Sequence, residues 1–197
     1  MSDSPASTST TKVILRAAAL AKRDALSSAQ RDAAALAIAA RGLPVAIRPG
    51  MVVSGYSPIR SELDPIPLMR ALAAQGARLA LPVIAARDRP LSFRAWSSGD
   101  GLARGPFGIL EPLPEAAELI PDIVMVPLAA FDRLGHRIGY GAGHYDRTLP
   151  LLRAARDIVT IGMAFAAQEI AVVPALPHDV ALDYVLTETQ SFDFRSS

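Results

Sequence analysis

The 197-residue sequence contains no cysteine and no asparagine, and its two lysines, Lys12 and Lys22, stand beside 18 arginines. The absence of cysteine excludes disulfides, thiolate catalysis and cysteine-ligated zinc. No apolar run approaches the roughly 20 residues that cross a bilayer. Residues 1–11 are small and polar and lack the basic and apolar regions of a signal peptide. These absences predict a cytoplasmic protein with no membrane segment, in which residues 1–11 form a disordered tail.

An excess of charge of either sign is also missing. The formal net charge is +1, which gives no electrostatic reason to expect a nucleic acid or an anionic membrane as a partner. Hydrophobic residues make up 51% of the chain and charged residues 20%, so the chain can bury a sizeable core. Residues 12–197 are therefore expected to form one domain. We also expect this domain to act as a monomer.

Apolar runs alternate with helical segments along this domain. Residues 12–41 contain neither glycine nor proline and predict one long helix, or two in series with a break at Ser27–Ser28. Alternation of strands and helices predicts a three-layer α/β/α sandwich with a largely parallel central sheet. Strands are predicted at 51–56, 78–84, 91–96, 123–128, 158–165 and 184–187, helices at 66–75 and 148–156, and an irregular segment at 99–114.

The most informative segment is 131–149, where three alternating glycines precede the run His-Tyr-Asp-Arg at 144–147. Closely approaching backbone N–H groups and a following helix N-terminus suit a phosphate. The spacing matches neither the Walker A loop nor the dinucleotide fingerprint. On glycine spacing alone, a phosphate site and a structural hairpin turn stay equally open. Asp146 and the flanking arginines favour the phosphate site, because they supply ligands for magnesium and for phosphate oxygens.

Besides the glycine loop, several separated motifs follow one another over residues 12–188. They are K-V-I-L-R at 12–16 continuing to Arg23, S-E-L-D at 61–64, L-P-V-I at 81–84, L-S-F-R-A-W at 91–96, F-G-I-L-E-P at 107–112 and L-P-H-D-V-A-L-D-Y-V-L-T-E at 176–188. In this order the motifs resemble the 5-formyltetrahydrofolate cyclo-ligase family, also called 5,10-methenyltetrahydrofolate synthetases. The resemblance implies conversion of 5-formyltetrahydrofolate to 5,10-methenyltetrahydrofolate with ATP and Mg²⁺ and with release of ADP and phosphate.

The resemblance also implies a set of site residues. Arg137 and Asp146 are expected to act in catalysis, and Asp146 and Asp183 to hold magnesium, with Asp179 beside them. The residues expected to bind ATP are Lys12, Arg16, Arg137, Gly139, Tyr140, Gly141, Ala142, Gly143, His144 and Tyr145, with Arg147 as a further clamp. The residues expected to bind the folate are Tyr56, Glu62, Phe107, Tyr140 and His144.

Each assignment has an ordinary structural alternative. Lys12 and Arg16, at i and i+4, are also typical of a solvated basic helix face. The carboxylates are equally explained as a surface-loop acid at Glu62, a helix N-cap or first-turn acid at Asp146 and a strand-edge acid at Asp183. Core packing would explain the aromatic residues as well.

Two loop residues depart from the family pattern, since Ala142 replaces a glycine and His144 a tyrosine. Ala142 is compatible with the loop if its φ is negative. His144 keeps a flat ring that can bond and can make the activity sensitive to pH. Two other functions stay open: a paralogue that uses ATP and magnesium on another N-formyl or pterin-like substrate, and a non-catalytic nucleotide- or folate-binding protein.

Overall fold

The computed structural model describes residues 5–176 and 179–195, beginning with two helices, α1 (Pro5–Asp24) and α2 (Ser28–Arg41). Ser27 caps α2, because its hydroxyl accepts from the backbone N–H of Gln30 while the Gln30 side chain accepts from the N–H of Ser27. The predicted break between two helices is confirmed. The chain is helical from Pro5, well before the predicted start of the domain, and residues 1–4 of the predicted tail lie outside the described residues.

A seven-stranded sheet forms the centre of the fold, in the order β11-β10-β9-β6-β1-β2-β3. The inner strands pair in parallel, and the two edge strands, β3 and β11, pair antiparallel. The strands are β1 (Val52–Ser54), β2 (Arg78–Val83), β3 (Ser92–Ala95), β4 (Leu102–Arg104), β5 (Leu110–Pro112), β6 (Ile123–Pro127), β7 (Ala130–Phe131), β8 (Arg137–Ile138), β9 (Val159–Met163), β10 (Tyr184–Leu186) and β11 (Ser191–Asp193); the further helices are α3 (Ile66–Ala74), α4 (His144–Ala155) and a 3₁₀ turn (Ala166–Gln168).

Helices cover both faces of this sheet. On one face, Ile38 of α2 and Met69 of α3 belong to one core cluster with Met125 of β6. On the other face, Leu149 of α4 packs in a second cluster with Val126 of the same strand. The predicted three-layer sandwich with a largely parallel sheet is confirmed, and burial on both faces explains why β6 is apolar throughout. No described helix has both the length and the apolar character that crossing a bilayer requires.

Two local predictions were wrong, and three short strands were not predicted. The segment predicted to be irregular contains a hairpin of β4 and β5, in which Gly108 takes a left-handed φ of 76°. Helix α4 begins at His144 rather than at Thr148, because the left-handed Gly143 turns the chain directly into the helix. The short strands β7, β8 and β11 were not predicted, since two or three residues carry no readable period.

Candidate active site

A cavity of about 390 Å³ opens at the carboxyl ends of β1, β2 and β6. Ligands in open α/β sheets sit at these ends because the loops that leave parallel strands converge there. The residues after β1 and the glycine loop after β8 face each other across it. The predicted residues that line the cavity are Tyr56, Glu62, Phe107, Arg137, Gly139, Tyr140, Ala142, Gly143, His144, Tyr145 and Asp146.

The glycine loop is held in a fixed turn. Gly141 and Gly143 have φ of 97° and 66°, a region that side chains disfavour, whereas Ala142 between them has a negative φ. The expected condition for Ala142 is therefore met. Arg147 braces the turn, since its guanidinium donates to the carbonyl of Ala142 and, over 2.8 Å, to the carbonyl of Arg87. The turn runs directly into the N-terminus of α4. Unpaired backbone N–H groups at a helix N-terminus can bind an anion.

An arginine–carboxylate pair lies where this loop meets α4. Arg137 of β8 is 7% exposed, and its Nη2 donates over 2.7 Å to Oδ1 of Asp146 in the first turn of the helix. Burial lowers the pKa of Arg137, and the facing carboxylate opposes that change. Its Nη1 donates to the carbonyl of Val180, whose N–H lies 3.4 Å from the same Oδ1. Within the described residues, Oδ2 of Asp146 accepts no hydrogen bond, so one oxygen stays available to a ligand.

The basic face of α1 adjoins the outer side of the loop. Lys12 forms an ion pair with Asp179, and Nε of Arg16 donates to the Gly139 carbonyl over 2.6 Å. The carboxylate of Asp179 also stabilises the charge of Arg137. Lys12, Asp179, Arg137 and Asp146 thus form a cluster of alternating charge beside the glycine turn. Lys12 and Arg16 are therefore partly buried against Asp179 and the glycine loop and do not form a solvated basic face.

The opposite half of the cavity is apolar around one buried acid. Glu62 is 9% exposed, and burial raises its pKa although the backbone N–H of Ile59 donates to its Oε2 over 2.8 Å. The hydroxyl of Tyr56 donates to the Leu63 carbonyl over 2.7 Å, so Tyr56 offers the cavity its ring rather than its hydroxyl.

Phe107 closes this half of the cavity from the β4–β5 hairpin. Its ring lies edge-on to the His144 ring, with centroids 6.3 Å apart and planes at 63°. Phe107 is 49% exposed, so it is a rim residue and not part of the core. Two flat rings at the mouth of an apolar cavity suit a flat heteroaromatic ligand.

The structure does not bring Asp183 to the cavity. Asp183 precedes β10, and its Oδ2 accepts from the N–H and the hydroxyl of Thr160, over 2.7 and 2.6 Å, at the start of β9. Both of its oxygens also accept from Arg153 in the last turn of α4. Since α4 separates it from Asp146 and its oxygens have partners, the expectation that these two aspartates share a magnesium ion is corrected.

Arg23 contacts the glycine loop, although no role is assigned to it from the sequence. Arg23 is 2% exposed, and its Nη1 donates over 2.7 Å to the hydroxyl of Tyr140 in the glycine loop. Its position was readable: Lys12, Arg16 and Arg23, at i, i+4 and i+11, lie on one face of a helix. The spacing indicates a shared face, but only the fold shows what that face contacts.

The residues fit a magnesium ion that arrives with a nucleotide. Among the residues that the structure describes, no three histidine, aspartate or glutamate side chains converge on one point. Mg²⁺ commonly takes one or two carboxylates and completes its shell with phosphate oxygens and water. Asp146, with an oxygen available beside the glycine turn, meets that requirement.

The comparisons with known proteins agree with this geometry. The model of the 5-formyltetrahydrofolate cyclo-ligase family matches residues 8–188. A 5-formyltetrahydrofolate cyclo-ligase of Mycolicibacterium smegmatis is 38% identical over 183 residues, which are 88% of this chain and 91% of the relative. The structure of Aquifex aeolicus 5,10-methenyltetrahydrofolate synthetase superposes with a TM-score of 0.77 at 30% identity, covering 94% of each chain. The synthetase of Mycoplasma pneumoniae gives 0.68 at 26% identity, covering 90% of this chain and 98% of that one.

The fold and the cavity together define an α/β enzyme in which a glycine-rich turn lies beside an apolar pocket. Within that class, the family match over residues 8–188 and the relative covered over nine-tenths of its length are decisive. The chain belongs to the 5-formyltetrahydrofolate cyclo-ligase family.

Proposed function

We propose that this enzyme converts 5-formyltetrahydrofolate and ATP to 5,10-methenyltetrahydrofolate, ADP and phosphate, with magnesium. The observation that carries the proposal is the division of one cavity into two unlike halves. One half contains the glycine turn with the Arg137–Asp146 pair, and the other contains rings around the buried Glu62. A reaction between a nucleotide and a flat heterocycle needs both halves side by side.

The apolar half suits the folate. The ring of Tyr56 and the ring of Phe107 offer faces and edges to a pterin or benzoyl group. When Glu62 is ionised, its carboxylate can accept the N–H donors of the pterin, and such a bond is strong in a site from which water is excluded. His144 at the rim adds a second flat ring against Phe107.

The polar half suits the triphosphate of ATP. Backbone N–H groups of residues 139–145 and the N-terminus of α4 attract negative charge. Lys12, Arg16 and Arg137 supply three cations around the same turn. Bound magnesium would offset phosphate charge, and we assign it to Asp146, with Asp179 in the same cluster.

The proposed chemistry activates an oxygen that is otherwise a poor leaving group. The formyl oxygen attacks the γ-phosphorus, the bond from phosphorus to the ADP oxygen breaks, and ADP leaves. N10 of the folate then attacks the formyl carbon, the carbon–oxygen bond breaks, phosphate departs, and N10 loses its proton to solvent. Arg137 stabilises the charge of the transferring phosphoryl group from a buried position, so no covalent enzyme nucleophile is required.

A direct assay tests the proposal. Purified protein is mixed with 5-formyltetrahydrofolate and Mg-ATP, and the near-ultraviolet band of the methenyl product is followed together with ADP. We expect one ADP for each product formed, and no product when ATP is omitted. Folate that binds without turnover would indicate a non-catalytic protein, and an absence of folate binding would indicate a paralogue with another substrate. We also propose that the enzyme acts as a monomer, because one chain lines the described cavity.

A further inference from the structure

We infer that Arg23 is a positioning residue for the folate half of the site: it fixes Tyr140 of the glycine loop against the loop that carries Glu62. This inference rests on the proposed function. Arg23 does not line the cavity itself, so it acts through the residues that do. Its place on α1 gives it a task distinct from that of Arg16 on the same helix.

One face of α1 holds two neighbouring residues of the glycine loop. Arg16 and Arg23 are seven positions apart, with the buried Ala19 between them, so they project from the same side. Arg16 donates to the backbone carbonyl of Gly139, and Arg23 donates to the side-chain hydroxyl of Tyr140. The first contact positions the backbone turn, and the second positions a ring that lines the cavity.

The guanidinium of Arg23 also reaches the loop after β1. Its Nε donates over 3.0 Å to the hydroxyl of Ser61, the residue before Glu62. Its ion-pair partner, Asp24, lies 3.2 Å away with a carboxylate side chain that is 58% exposed. Burying a guanidinium is costly unless its donors find partners. Here those donors join the glycine loop to the loop after β1, so the buried Arg23 helps to fix the relative position of the two loops.

The contact with Tyr140 also sets the direction of a proton. Because Arg23 donates to the Tyr140 hydroxyl, the hydroxyl hydrogen is directed to another acceptor. The acceptor is the Leu128 carbonyl, 3.2 Å away, and the Glu62 carboxylate lies close enough to interact electrostatically with the same hydroxyl. Burial raises the pKa of Tyr140, so the hydroxyl remains a donor at neutral pH. Glu62 therefore lies beside two groups that Arg23 positions, the Tyr140 hydroxyl and Ser61.

This division of labour predicts separate kinetic effects. Loss of Arg23 removes one bond from Tyr140 and one from Ser61 but leaves the Arg16 contact to Gly139 in place. The folate half should loosen while the phosphate half keeps its turn. A lysine cannot substitute fully, because a single ammonium cannot reproduce the fork that reaches both Ser61 and Tyr140.

The test compares Arg23→Met, Arg23→Lys, Tyr140→Phe and the double variant Arg23→Met/Tyr140→Phe in steady-state kinetics. We expect Arg23→Met to raise KM for the folate about tenfold, the loss of one buried charge-assisted bond, and to leave KM for ATP within about twofold. Arg23→Lys should lie between the wild type and Arg23→Met. The double variant should raise KM for the folate by less than the product of the two single effects, because both substitutions break the same contact between Arg23 and Tyr140.

Added guanidinium ion gives a readout that a general loss of stability would not move. At millimolar concentration it should partly restore the folate KM of Arg23→Met and leave the wild type unchanged. Arg41→Met is the matched control, because Arg41 also joins a helix to a distant segment, through 2.6 Å bonds to the carbonyls of Thr187 and Glu188, away from the cavity. That variant should show neither a folate KM change nor rescue.

Two results would overturn the inference: equal changes in both KM values for Arg23→Met, or a folded Arg23→Met that guanidinium does not rescue. If Arg23→Met does not fold, Arg23→Lys and Tyr140→Phe carry the same comparison. A wild-type enzyme without turnover would refute the proposed function instead. The folate Kd of each variant, measured by calorimetry, would then decide the role of Arg23 separately.

Discussion

Helix α4 carries an arginine–aspartate pair at each of its ends, and the two pairs differ in what surrounds them. Asp146 in the first turn pairs with Arg137 at 2.7 Å, beside the cavity at the carboxyl ends of the strands. Arg153 in the last turn pairs with Asp183 at 3.2 Å, at the amino ends of β9 and β10. One pair lies where ligands enter an α/β sheet, and the other lies where strands begin.

The partners of each carboxylate show how the two pairs differ in use. Asp183 accepts two hydrogen bonds from Thr160 and two from Arg153. These bonds join α4 to the starts of β9 and β10. Asp146 uses Oδ1 alone within the described residues, and its arginine is far more buried than Arg153. A carboxylate with an oxygen in reserve beside a cavity can bind a ligand, whereas a saturated one stabilises the fold.

Asp146→Asn should produce the largest effect on turnover. The substitution keeps the size of the side chain but removes the charge that pairs with Arg137 and the anionic oxygen proposed for magnesium. We expect kcat to fall by about a hundredfold to a thousandfold, the range seen when one electrostatic contact to a transition state is lost. Kinetics over a magnesium titration measure this, with circular dichroism as the check of folding. Turnover close to that of the wild type would contradict the ligand role.

Glu62→Gln should raise KM for the folate about tenfold, because a charge-assisted bond in a buried site is lost. Burial raises the pKa of Glu62 above its usual 4.5. As pH falls through that raised pKa, the wild type should lose folate affinity, at a higher pH than an ordinary glutamate would. The Gln variant should have a high KM that does not vary over the same range.

The same shift affects stability with a defined sign. A pKa that is raised on folding adds stability below the unfolded value, and that contribution is lost as pH rises through the folded value. The free energy of unfolding of the wild type should therefore fall as pH rises from the unfolded pKa of Glu62 through its folded pKa. In Glu62→Gln this fall should be smaller. Urea unfolding at a series of pH values measures it, with the exposed Glu115→Gln as the control. A Gln variant that keeps the wild-type pH dependence would show that another group titrates.

Much of this arrangement could be predicted from the sequence, and the comparison of the two pairs shows why the rest could not. Apolar runs indicated the strands, and the predicted break at Ser27–Ser28 indicated where one helix ends and the next begins. The phosphate site at the glycine turn stays a prediction. Asp146 is adjacent to that turn, so its place followed directly. Asp183 lies in a motif of the same family pattern, but its position depends on strand register with Thr160, which a single sequence does not reveal.

Lys12→Ala should raise KM for ATP by several-fold to about tenfold, because the cluster of alternating charge loses one cation. KM for the folate should change little, since Lys12 is not among the residues that line the apolar half. Lys22→Ala is the matched control: it is the other lysine of the chain, on the same helix, and it is exposed. An unchanged ATP dependence in Lys12→Ala would remove Lys12 from the phosphate half.

Asp183→Asn should have the smallest effect on turnover and a clear effect on stability. An amide in this place directs N–H donors at the Thr160 N–H or at Arg153, so a buried donor loses its partner. We expect the free energy of unfolding to fall by about 1–3 kcal/mol, while kcat of the folded enzyme stays within about twofold of the wild type. Urea unfolding and kinetics below the unfolding transition measure the two quantities. A kcat loss as large as that of Asp146→Asn, with magnesium affinity reduced in both variants, would instead place the two aspartates on one ion, and the distinction between the two ends of α4 would not hold.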